Sequence, residues 1–209
     1  VMPGFDLARL CARIFPQQAH PGTIGMALMN HGIFSFGATA QESYERMIAL
    51  VSRAEDYLAK HGAWNLPPAK EESSPRALRL EIAGLRRELS ACAGFPVVLA
   101  THAQPKFLSF ARRSDVTRLS QQGPATPDHS IRTKPLPMVG RDVQAYARAY
   151  RGYFERNAPL AKEPKTMLDP APRVILDPQF GLGCVGRSAK DAGIVHDIYA
   201  HTIDIILRA

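Results

Sequence analysis

The sequence predicts an α/β protein in two unequal parts, and three observations carry that expectation. Short apolar runs alternate with stretches of helical periodicity. A proline-rich, charged segment without periodicity, NLPPAKEESSPR at 65–76, divides them. A pair of glycine turns followed by a capped helix occurs twice, at a constant spacing of 149 residues (26–42 and 175–191).

The elements follow in order. Residues 4–15, GFDLARLCARIF, have helical spacing of Phe5, Leu7, Ala8, Cys11, Ile14 and Phe15, and Pro16 is expected to end that helix. Thr23 to Leu28 reads as a strand, short and apolar enough to be buried on both sides. Thr39 with Glu42 forms a capping box for the next helix. Tyr44, Met47, Ile48, Val51, Ala54 and Leu58 give that helix one apolar face, and Gly62 is a natural stop. Beyond the linker, Ala77 to Leu89 is helical through Leu78, Leu80, Ile82, Leu85 and Leu89. Val97 to Ala100 and Phe107 to Phe110 are expected to be short strands. Residues 123–140 carry four prolines and read as turn and extended chain. A helix over Val143–Phe154, a Pro/Lys loop to Pro172, a strand over Arg173–Leu176 and a helix over Ser188–Leu207 complete the chain. The layout is a first region at 1–64, a linker at 65–76 and a second α/β region at 77–209.

In the two copies Gly32 aligns with Gly181, Gly37 with Gly186, Thr39 with Ser188, Ala40 with Ala189 and Glu42 with Asp191. A duplicated supersecondary unit explains this economically, which would make the second region a degenerate repeat of the first. The apolar face of the later helix, read as Ile194, Val195, Ile198, Thr202, Ile205 and Ile206, is rotated from the earlier phase.

The chain has 209 residues, 45% of them apolar and 22% charged, which fits a soluble globular protein able to bury a core. No stretch approaches the ~20 apolar residues of a membrane span. The start, VMPGFDLARL, has neither a signal-peptide pattern nor an initiator Met, as expected of a piece of something longer. Cys11, Cys92 and Cys184 are far apart and form no CxxC, which points to a reducing, cytoplasmic setting. The net charge of +7 raises nucleic-acid binding, but acidic residues sit among the basic ones and no basic stripe interleaves with aromatics.

His31 stands where the second copy has Phe180. The backbone needs the glycines in both copies, but only the first carries an imidazole, so His31 is a candidate metal ligand. The competing reading is a loop histidine that hydrogen-bonds a nearby carbonyl. None of the seven histidines forms HxH or HExxH, so a complete site would draw ligands from outside this sequence. In 123–134, GPATPDHSIRTK, Arg132 and Lys134 lie two apart, on one side of an extended strand, and with His129 form a candidate grip for phosphate or another anion. A solvated basic loop is the alternative.

The stretch LMNHGIFSFGATAQESYERMIALVSRAEDYL resembles the C-terminal part of class II aldolase/adducin domains, in which an apolar strand ends in His-Gly ahead of a long helix. With VMPGFDLA, GPATPDHSIRTK and GRSAKDAGIVHDIYAHTI, most of the chain resembles bifunctional proteins that join such a domain to a short-chain dehydrogenase, the rhamnulose-phosphate aldolase type. The resemblance implies a sheet flanked by helices, with 1–64 as the C-terminal part of an aldolase domain. It implies that His31 matches the third metal-binding histidine, the cation being Zn²⁺ or another divalent metal, and that a sugar phosphate is the substrate. The other two histidines, the acidic catalytic residue and an NAD(P)-binding half would lie outside this stretch, which is then not expected to be active alone. Homo-oligomers are expected of such domains. An adducin-like interaction module without catalysis, or an anion- or nucleic-acid-binding protein, remains the alternative.

Overall fold

The computed structural model describes residues 4–29, 31–63, 76–126 and 129–208. The expected linker at 65–76 lies almost wholly outside the described residues. The chain is mixed α/β and divides into two units, each with its own sheet.

The first unit contains α1 (Phe5–Gln18), β1 (Gly25–Leu28), β2 (Gly32–Ser35) and α2 (Ala40–Lys60). Pro16 lies inside α1 and does not end it. In the last turn the missing N–H removes one helical bond, and the helix runs two residues further. β1 and β2 form an antiparallel hairpin in the register Gly25↔Ser35 to Leu28↔Gly32. The second strand is not evident as a separate apolar run, because Gly32 opens it and it holds only four residues. Thr39 Oγ1 accepts from the Glu42 N–H at 3.1 Å. Glu42 reaches back one residue further than a capping box requires, accepting from the Ala38 N–H at 2.6 Å. Neither β1 nor α2 holds a buried residue, so the expectation of a doubly buried strand fails. Tyr44, Ile48 and Val51, read as the apolar face of α2, are 67%, 49% and 40% exposed, because a two-stranded hairpin covers too little of the helix.

The second unit contains α3 (Arg76–Ala93), β3 (Val98–His102), α4 (Pro105–Ala111), α5 (Val116–Ser120), the single turn α6 (Ser130–Thr133), β4 (Met138–Val139), α7 (Val143–Asn157), β5 (Val174–Asp177), β6 (Gly181–Gly186) and α8 (Ala189–Arg208). Its sheet runs β3-β6-β5-β4, with only the β4–β5 pair parallel. Alternation along the two central strands sends side chains into two separate cores. Val174, Leu176, Leu182 and Cys184 pack with Phe107, Phe110, Val195, Tyr199 and Ile203. Ile175 and Val185 pack with Leu85, Leu89, Met138 and Val143 on the other face. Helices therefore cover both faces of the sheet, and every residue of β5 and β6 is buried. Phe107 to Phe110 is helical, a correction to the strand expectation. A four-residue stretch with three apolar residues has no period of its own, and Pro105 in the first turn starts a helix.

The two copies adopt one geometry. Adding 149 to the register of the first hairpin reproduces the pairs Val174↔Cys184 and Asp177↔Gly181 of the second. A Cβ on Gly37 would meet Glu42 Cβ and the Ser43 nitrogen at 2.9 Å, and one on Gly186 would meet the equivalent Asp191 Cβ at 2.7 Å and Ala192 nitrogen at 2.4 Å. These glycines let the strand pass directly against the first turn of its helix. Gly181 has a φ of +78°, and a side chain there would run into the His102 carbonyl. Ser188 Oγ accepts from the Asp191 N–H at 3.1 Å, as Thr39 does from Glu42. α8 is not rotated from the phase of α2. Its buried positions Ala192, Val195 and Tyr199 correspond to the part-covered Ser43, Arg46 and Leu50.

Candidate functional site

His31 sits in the turn between β1 and β2, partly exposed, and its backbone N–H donates to the Leu28 carbonyl at 2.9 Å. It follows the strand rather than ending it. A hollow of about 400 Å³ lies between α1 and β1, lined by Leu10, Cys11, Ile14, Phe15 and Met26 among others, but not by His31. Phe180 occupies the equivalent turn and is 2% exposed, packed in the core beside α3 and α7. The exchange of His for Phe thus has a packing cause on the phenylalanine side: the second turn is covered and the first is not. Among the described residues no three His, Cys, Asp or Glu side chains converge in the way a divalent-metal site requires.

The anion-grip candidates His129, Arg132 and Lys134 do not lie on an extended strand. Residues 130–133 form a helical turn, with Thr133 Oγ1 donating to the His129 carbonyl at 3.0 Å. Lys134 is 3% exposed and points inward. Its Nζ donates to the Asp169 carbonyl, lies 3.8 Å from Asp169 Oδ1 and stands 4.0 Å above the Tyr150 ring. Burial pushes its pKa down to about 8, against the opposing pull of Asp169. Its φ of +61° is strained for a lysine, and Pro135 behind it disfavours the ordinary helical alternative. This amine ties the 129–134 segment to the loop around Asp169 and is not presented to solvent. His129 is half-buried, and among the described residues its Nδ1 meets no hydrogen-bond partner.

Arg132 points elsewhere, into a surface hollow of about 180 Å³ that it shares with Arg173, Arg187 and Asp191. The structure therefore separates the three predicted residues and gives Arg132 two arginine neighbours that sequence reasoning missed. A signal for them existed: at the 149-residue spacing Arg173 and Arg187 align with Ile24 and Ala38, so the second copy alone carries charge there. Asp169 fixes Arg173 through both carboxylate oxygens, one of them at 3.0 Å from Nη1. Arg173 and Lys134 hold the Asp169 carboxyl below its ordinary range although burial, the largest influence on it, pushes upward.

Among the described residues no helix is long and apolar enough to cross a membrane. No solved structure matches the chain. The chain is 24% identical, over its full length, to a Bacillus subtilis (strain 168) protein named "Uncharacterized oxidoreductase YuxG", and it spans about a third (33%) of that protein's length. Residues 76–209, which hold the whole second unit described above, match the family described as "Aldolase class II, second domain". The chain belongs to the class II aldolase family.

Proposed function

We propose that this chain is an internal part of a longer bifunctional polypeptide. That polypeptide would join a metal-dependent aldolase, cleaving a ketose 1-phosphate of the rhamnulose phosphate kind, to a short-chain dehydrogenase that uses NAD(P). The observation that carries this reading is the combination of an aldolase-family match with an end-to-end relative three times as long that is named an oxidoreductase. The exposed apolar side chains of the first unit agree with it. Ile33, Phe34, Tyr44 and Ile48 are each exposed, and further segments of the same polypeptide would cover such side chains.

In this reading His31 contributes one imidazole to a cation whose remaining ligands lie outside the sequence, and the second unit is a repeat of the first that has lost that imidazole. Divalent cations in catalytic sites take about three protein ligands, so the present chain should not hold one alone. Zinc titration by calorimetry checks this. The 209-residue chain should show no tight stoichiometric binding, and the longer polypeptide should bind tightly and cleave a ketose 1-phosphate. His31→Ala in the longer polypeptide should remove both. Metal binding that survives His31→Ala would remove the ligand assignment. A longer polypeptide that captures protein partners and cleaves nothing would favour an adducin-like role.

A further inference from the structure

We propose that the hollow bounded by Arg132, Arg173, Arg187 and Asp191 binds a small phosphate ester that carries a neighbouring hydroxyl group. The inference rests on the second unit alone and does not require His31 to bind metal.

Arg132, Arg173 and Arg187 line one concavity of about 180 Å³. Their states differ in an informative way. Arg173 is held by Asp169 and by the Ala171 carbonyl at 3.1 Å, so it is fixed in place and largely neutralised. The Arg187 guanidinium lies 4.0 Å over the Phe95 ring, which orients it without consuming its charge or its N–H donors. Arg132 makes no hydrogen bond or ion pair among the described residues. Arg187 is oriented and Arg132 is unpaired among the described residues, so beside a third arginine they leave several N–H donors for an anion. Arginine forks match the tetrahedral oxygens of phosphate.

Asp191 lines the same hollow, and a carboxylate would repel a bare anion. Its Oδ2 accepts from Ser188 Oγ at 2.9 Å, and Oδ1 accepts no bond among the described residues. Oδ1 is therefore available to a hydroxyl donor. A ligand that presents phosphate oxygens to the arginines and a separate hydroxyl to Asp191 pairs both kinds of charged group; inorganic phosphate does so only by turning one of its own oxygens, as P–OH, away from the arginines. The volume lies below the ~300–1,000 Å³ of drug-sized pockets and suits a phosphate on a short polyol.

Calorimetric titration of the 209-residue chain at fixed ionic strength tests this, using glycerol 3-phosphate, inorganic phosphate and glycerol. Saturable binding of glycerol 3-phosphate is expected, tighter than inorganic phosphate, with none for glycerol. Arg132→Ala and Arg187→Ala should each weaken it about tenfold, the size of one charge-assisted hydrogen bond. Arg86→Ala, an equal loss of charge on α3, should leave it unchanged. Asp191→Ala should abolish the preference for glycerol 3-phosphate over phosphate while circular dichroism confirms the fold. No saturable binding by the parent chain, or equal weakening by Arg86→Ala, would overturn the site. An undiminished preference in Asp191→Ala would overturn the hydroxyl assignment.

Discussion

Replacing Arg141 by alanine should destabilise the second unit by about 2–3 kcal/mol. Asp177 ends β5 with its side chain 4% exposed. Arg141 donates to it from Nε at 2.6 Å and Nη2 at 3.0 Å, and also reaches Glu81 at 2.6 Å and the Gln179 side chain at 2.5 Å. Removing the guanidinium leaves a buried carboxylate facing only the backbone N–H groups of Gln179 and Phe180, at 2.8 and 3.3 Å. Breaking a fully buried pair costs about 3–5 kcal/mol. Arg141 is 28% exposed, and water can reach part of the gap, which brings the cost down to about 2–3 kcal/mol. Urea unfolding followed by far-UV circular dichroism should show the midpoint falling by about 1 M, given slopes of ~1–3 kcal/mol/M. Asp177→Asn in the Arg141→Ala background should recover part of the loss, because the orphaned charge is gone. A midpoint unmoved by Arg141→Ala, or two losses that simply add, would refute the buried-pair reasoning.

The glycines of the second unit should divide by what surrounds them. Gly186→Ala should cost about 1–3 kcal/mol, since its methyl group meets the Ala192 nitrogen at 2.4 Å, while Gly84→Ala, in mid-helix with open space around it, should gain ~0.5–1 kcal/mol; paired urea titrations compare them. The His102 ring lies 4.1 Å from the His196 ring, tilted by 34°, and burial first, then the charge of His196, lowers its pKa below 6.5. The unfolded chain then binds the proton more readily than the folded one, so this contribution is present above pH 6.5 and is lost as pH falls through the lowered folded value. Thermal melts between pH 7 and 5 should show a falling midpoint, with a shallower fall in His102→Gln.

Family membership rests on the second unit, whose copy of the hairpin and helix is the fully covered one. Coverage explains several of the sequence expectations that failed. The apolar face of α2 was legible, yet Tyr44 and Ile48 remain exposed because no second layer meets them. The face of α8 read from isoleucines misses Ala192 and Tyr199, since a small residue and a tyrosine register weakly in any hydrophobic pattern. Lys134 reads as a surface cation beside Arg132 only while the segment is assumed to be extended. One helical turn sends the two side chains to different places, one into the interior and one into a surface hollow.

The amino-acid order alone determined the α/β class, the capped helices at Thr39 and Ser188, and the recurrence of one hairpin-helix unit. Those features depend on bonds and close approaches spanning a few residues, such as Gly186 against Ala192, which any stretch with the same spacing reproduces. Only the tertiary structure decided that β5 and β6 lie between two helical layers while β1 and β2 do not. It also decided that Arg132, Arg173 and Arg187 share one hollow. Those outcomes depend on segments distant in the chain meeting in space, and no local periodicity encodes which of them will meet.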